Sequence, residues 1–291
     1  MFRFFILLAY LWITNLDAAD KNIKLKYVSN IPVLQTSELK IVMLNSLPGV
    51  KLHEENSQVI NAFLSIVSDQ QDKIFITPPL DVMFTLKSYV IDLNINDRTA
   101  RFHSEEPEKL PHLMQSYKMV DRPLKLRISK DCNFKASNEG LQSIYCEYPA
   151  LKEIQIENFL YEWFQHLFAL AGKDIYVGAI FDVPINVNQR EGMLHYEIKS
   201  ITDQEIQAGF NGKLREKILH FSNGLQENCK GPERMEMTVN GTTNGTVTWN
   251  RHNALVYSFQ AKHLIKSTLS NGEESWTLNV NLTHHFVSKE V

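Results

Sequence analysis

Two long runs of alternating apolar and polar residues flank an Asn-Gly pair near the end of this chain, and they restrict its fold more than any other feature. From Leu255 the apolar side chains fall at every second position, as Leu255, Tyr257, Phe259 and Ala261, with Ser258, Gln260 and Lys262 on the other face. Beyond Asn271-Gly272, the residues Trp276, Leu278, Val280, Leu282, His284 and Phe286 alternate with Thr277, Asn279, Asn281 and Thr283. A period of two marks strands with one apolar and one wet face. Asn-Gly supplies the positive φ angles of a two-residue hairpin turn, which would set His263 opposite Val280. Each arm is about fourteen residues, against a usual strand of roughly six, and such strands suit a long curved antiparallel sheet or a half-barrel.

The same pattern recurs upstream. Val82 to Ile95 is a long strand whose apolar set shifts from Phe84 and Leu86 to Tyr89, Ile91, Leu93 and Ile95, so a bulge is expected near Lys87 or Ser88. Asn96-Asp97 then turns the chain into Arg98 to Phe102, Glu105 to His112 is a loop, and Leu124 to Ile128 resumes a strand. Val59 to Val67 is read as a strand with Lys73 to Thr77 as its return arm. Met235 to Trp249 is rich in Thr and in residues that tolerate bulges or turns, and Asn250 to Asn253 makes a turn into the strand at Leu255.

One segment breaks the period. From Ile156 to Ala171 the residues Phe159, Leu160, Trp163, Phe164, Leu167, Phe168 and Ala171 recur at three and four, with Gly172 as a stop signal. The expected fold is therefore mainly β (α+β): a long curved antiparallel sheet or half-barrel with one amphipathic aromatic helix packed on it.

The chain opens with a lone Arg3, an apolar run from Phe4 to Ile13, a short polar segment and the small residues Ala18 and Ala19. That layout reads as a cleavable signal peptide over 1–19. Its apolar run falls short of the ~20 residues that span a bilayer. Residues 20–291 are then one exported β-rich domain, or two β halves meeting near 147–155, with no second stretch long enough to cross a membrane. The expected place is periplasmic or extracellular. With 44% hydrophobic and 22% charged residues the composition is that of a globular chain, and 30 Lys and Arg spread among 33 Asp and Glu leave no basic stripe for nucleic acid. In an oxidising compartment Cys132 and Cys146 are expected to pair, leaving Cys229 outside the pair.

No nucleophile elbow, His-Glu-x-x-His motif or phosphate-binding loop is present, no His or Cys spacing resembles a metal site, and no cofactor is expected. Asn240, Asn244 and Asn281 each begin an Asn-x-Thr triplet, two in an Asn-Gly turn context and one in a strand, and they are read as chance matches. A non-enzymatic role follows. The first expectation is carriage of an apolar, lipid-like ligand in the cell envelope, with Phe159, Trp163, Phe164 and Phe168 lining its site. The alternative is a structural or protein-interaction module that meets an envelope partner through a polar sheet face and long edges.

The order of these segments resembles that of a loosely defined group of exported, β-rich bacterial proteins of unknown function. The likeness rests on the strands from Phe84 to Phe102, the run Asp121-Arg122-Pro123-Leu124-Lys125-Leu126, the segment Phe159-Leu160-Tyr161-Glu162-Trp163-Phe164, and the Gly-Thr strands from Asn240 to Phe286. It departs after the helix, where Val177-Gly178-Ala179-Ile180-Phe181 stands in place of a Gly-Asp-x-Trp stretch. The resemblance implies export and a single β-rich fold, and it implies no site residues.

Overall fold

The computed structural model describes residues 33–47, 50–67, 80–106, 120–128, 134–135, 163, 165–170, 172–187, 190–222, 234–270 and 274–290. The signal-length segment, Phe159, Phe164, all three cysteines and residues 147–155 lie outside them.

Twelve strands make up one antiparallel sheet among the described residues. The first meander consists of β1 (Val33–Leu47), β2 (Val50–Val67), β3 (Leu80–Ile95), β4 (Arg98–His103), β5 (Pro123–Ile128) and β6 (Phe134–Lys135). A second runs through β7 (Ile180–Val187), β8 (Arg190–Ile201), β9 (Glu205–Ser222), β10 (Arg234–Asn250), β11 (Val256–Ser270) and β12 (Ser275–Glu290). Across the sheet the order is β6-β5-β3-β2-β1-β12-β11-β10-β9-β8-β7, with β4 beside β3. The first and last long strands, β1 and β12, pair over fourteen positions and join the meanders. Among the described residues the sheet does not close, because β6 and β7 stand at opposite ends of that order.

Register keeps one face continuous. Phe181, Tyr196, Phe210, Gly245, Ala261, His284, Leu39, Gln58, Ile91 and Phe102 oppose one another in turn across ten strands. The adjacent row from Ile198 to Tyr89 contains Ala208, Val247, Phe259, Phe286, Ser37 and Ile60, all buried. This inner face carries the core; the side chains between are mostly polar and wet.

Local sequence accounts for several details. The chain reverses at Asn96 and Asp97 with φ of 47° and 67°, as the hairpin residues predict. Asn61 pairs with Ser88 and Ala62 with Leu86, so Lys87 is the bulged residue. The turn after β10 is held by the Asn250 side-chain oxygen, which accepts from the backbone N–H groups of His252 and Asn253.

Other expectations are corrected. Ser270 pairs with Ser275, so the last hairpin has a four-residue connection; His263 opposes Leu282, and Ile265 opposes Val280. The faces survive, because a shift of two preserves the pleat. Tyr257 is exposed, while Val256 and Phe259 are buried: β10 pairs Trp249 with Val256 but Thr248 with Ser258, and the intervening bulge turns Tyr257 outward. The two Asn-Gly pairs at 240–241 and 244–245 are not turns; they lie inside the continuous strand β10.

They occur there because backbones approach closely. A Cβ added at Gly245 would collide with the carbonyl oxygen of Gln260 and come 2.6 Å from Phe210 Cζ; one added at Gly212 would collide with the carbonyl oxygen of Met193. Inward glycines at such points let a sheet bend where any side chain would hold the strands apart.

The aromatic helix is met only in part. Trp163 and residues 165–168 are helical and are followed by a turn at Ala169 and Leu170. The remainder of the expected helix, 156–162, 164 and 171, lies outside the described residues, so a single amphipathic helix over 156–171 is not established.

Candidate functional site on the inner face

The helical residues rest on the aromatic rows of the second meander. Trp163 is 1% exposed and Leu167 is fully buried, while Phe168 is partly buried against the core. Of the four residues expected to line a ligand site, Trp163 is thus buried and Phe168 half-buried against the core, while Phe159 and Phe164 lie outside the described residues. His166, unremarked in the sequence, stands at the centre of this contact. Its ring lies 4.7 Å from that of Phe210 and 4.8 Å from that of Phe259, and its Nδ1 is 2.8 Å from the hydroxyl of Tyr196. Trp249 donates from Nε1 to the His166 carbonyl oxygen at 2.8 Å. Phe259 in turn stacks on Phe286 at 5.0 Å. Rings at such separations fill the space between helix and sheet. No local signal in the sequence could have joined these residues, since His166 and Trp249 are brought together only by tertiary packing.

A test of this packing is Tyr196→Phe. It deletes one hydroxyl and little volume, and removes the 2.8 Å contact to the buried His166 ring. The expected loss is about 1–3 kcal/mol, measured by urea denaturation. A change indistinguishable from zero would mean that the hydroxyl does not hold the ring in solution.

Polar groups occupy the middle of the same face. Ser37 Oγ and His284 Nε2 lie 2.6 Å apart and buried, and the Ser288 hydroxyl donates to the carbonyl of Val256. Gln35 is wholly buried between Ala62 and Ser288, and among the described residues neither amide atom meets a hydrogen-bond partner.

Beyond this belt the inner face becomes apolar again but less covered. His263, Leu282 and Ile41 form one row across β11, β12 and β1; Ile265, Val280 and Met43 form the next. Leu278 follows on β12 and Leu269 opposes Trp276. Ile41 is buried, whereas Met43, Ile265, Leu269, Trp276, Leu278, Val280 and Leu282 are all half-buried. Strand alternation puts Lys40, Asn279, Asn281, Thr283 and Lys262 on the outer side.

A separate groove of about 400 Å³ is lined by Lys40, Glu55, Ser57, Asp92, Asn94 and Arg101, among others. Asp92 accepts from Arg101 Nε at 3.4 Å, and Lys40 faces the same groove as Glu55. Two cations balanced by two carboxylates create no field for a charged ligand. Among the described residues there is no cluster of three or more His, Cys, Asp or Glu that could hold a metal ion, and no helix long and apolar enough to cross a membrane. No protein-family model matches the chain, and no curated protein matches it.

Proposed function

We propose that this chain is an exported, non-enzymatic carrier of an apolar, lipid-like ligand, held along the half-buried apolar end of the inner face of a half-barrel. The observation that carries the reading is the row of Ile265, Val280 and Met43 with its neighbours Leu282, Leu278 and Leu269: apolar side chains continue inward beyond the filled core and stay half-buried. Covering a half-exposed aliphatic side chain is worth about 1 kcal/mol, so half a dozen of them supply binding without any polar anchor. Trp163, buried, and Phe168, half-buried, pack with the core and leave this end of the inner face to the ligand.

A second reading, an interaction module of the envelope, is favoured by the sheet edge at β7, which pairs only with β8 among the described residues. Ile180, at the start of β7, is 72% exposed, and Val177, just before it, is 54% exposed. Exposed apolar residues on an open edge suit strand-on-strand contact with a partner.

The two are separated by neighbouring residues that face opposite ways. Ile265→Asp puts a charge on the inner face and Leu264→Asp one on the outer face. Binding of a fluorescent apolar probe, and lipid retained through purification, are measured for both. Ile265→Asp is expected to weaken probe binding at least tenfold, or about 1.4 kcal/mol, while Leu264→Asp leaves it unchanged. Folding of each variant is checked by far-ultraviolet circular dichroism, with Val280→Ser as the milder inner-face change. Equal binding by all variants, or none by the parent chain, would overturn the carrier reading and leave the edge reading standing.

A further inference from the structure

We propose that the outer face of the sheet carries N-linked glycans at Asn240, Asn244 and Asn281, and that they shield the apolar residues exposed there. The inference rests on the export reading above, with the extracellular destination reached through a eukaryotic secretory pathway, and on the exposure of the three asparagines in the sheet. These are all of the Asn-x-Ser/Thr triplets in the chain, the middle residues being Gly241, Gly245 and Leu282 and none of them Pro. All three asparagines are exposed, and so are the threonines Thr242, Thr246 and Thr283. The strand period of two puts asparagine and threonine of each triplet on the outer face together, with the middle residue inward. Asparagines that point inward, such as Asn56, begin no such triplet.

The three positions also cluster. Asn281 is opposed by Leu264 on β11 and Val42 on β1, and Leu264 is opposed by Thr242 on β10. Asn240 and Asn244 lie on either side of Thr242, about 13 Å apart along the strand, and Asn281 lies about 10 Å away across two strands. Leu264, 43% exposed, sits inside this triangle, and Val42 stands at its edge. An apolar side chain in the middle of a wet face is thus surrounded by three attachment points for bulky, solvated groups. Glycans so placed leave the inner face free.

The chemistry needs a lipid-pyrophosphate-linked oligosaccharide, the donor of a eukaryotic secretory pathway. Asparagine Nδ2 attacks C1 of the first sugar and an N–C1 bond forms. The C1–O bond to the pyrophosphate breaks, the lipid pyrophosphate leaves with the bonding pair, and one amide proton passes to a base of the transferring enzyme. Transfer occurs on the entering, unfolded chain, and the fold must then keep the modified asparagine in solvent; these three positions meet that requirement.

The test is to express the full chain in a eukaryotic secretory host twice, once with its own N-terminus and once behind an independent secretory leader, and to treat the product with peptide N-glycosidase. Treatment is expected to collapse a slow-migrating band. Asn240→Gln, Asn244→Gln and Asn281→Gln should each remove one step of mobility, while Thr242→Ser, Thr246→Ser and Thr283→Ser retain glycosylation. Modification only behind the independent leader upholds the sites and removes the export reading. A secreted chain whose mobility the enzyme does not change overturns the proposal.

Discussion

Trp249→Ala is expected to destabilise the chain by about 3–5 kcal/mol, the range for deleting a large aromatic from a packed core. Trp249 is wholly buried, its ring lies 6.2 Å from that of Tyr196, and its Nε1 donates to the His166 carbonyl. Two effects therefore add: the volume left empty, and a backbone carbonyl that loses its donor. Trp249→Phe separates them. It keeps most of the ring and none of the hydrogen bond, and should cost about 1–3 kcal/mol. Equilibrium denaturation of parent and both variants gives the comparison. If Trp249→Ala stayed within the ~0.5 kcal/mol typical of surface changes, the helical segment would not be docked on this wall in solution. The residues beneath it would then become candidates for the ligand site.

Gly245→Ala should be comparably damaging although it adds a single methyl group. Overpacking commonly costs about 1–3 kcal/mol, and the upper end or beyond is expected here because the obstacle is backbone. The added Cβ collides with the Gln260 carbonyl of the neighbouring strand, as well as with the Phe210 ring. A ring can rotate away, but a carbonyl in a strand ladder cannot move without shifting β11 against β10. The double variant Gly245→Ala/Phe210→Leu decides which contact matters. Little recovery of stability is expected from relieving the ring. Full recovery would show that the aromatic contact, and not the close approach of strands, requires glycine at this place. The shift of β11 against β10 should also weaken apolar-probe binding, since the half-buried rows of β11 and β12 depend on where those strands lie.

Local chemistry made much of the sheet legible in the sequence. Alternation from Phe259 to Phe286 assigns the inner and outer faces of β11 and β12, because a side chain's side in a strand depends only on the parity of its position. The Asn96-Asp97 reversal and the bulge at Lys87 could likewise be read, one from residues that tolerate positive φ and the other from a slip in the apolar period. Tyr257 departs from the alternation because a bulge changes parity, and its position depends on how β10 pairs with β11.

Local residue pattern specifies long antiparallel strands with one apolar face, and an aromatic segment that breaks their period. What these elements meet is a matter of the folded whole. That β1 pairs with β12 and that His166 lies among Tyr196, Phe210 and Phe259 follow from contacts between segments far apart in the chain, and that Gly245 sits where two backbones nearly touch follows from how β10 registers with β11. The candidate site belongs to the same class. Ile265, Val280 and Met43 are unremarkable apolar residues one by one, and they become a row because the β11–β12 hairpin register and the pairing of the first strand with the last align them. Alternation is a property of neighbours along the chain and survives in any register, whereas a site requires one particular register, which only the simultaneous packing of all the strands selects.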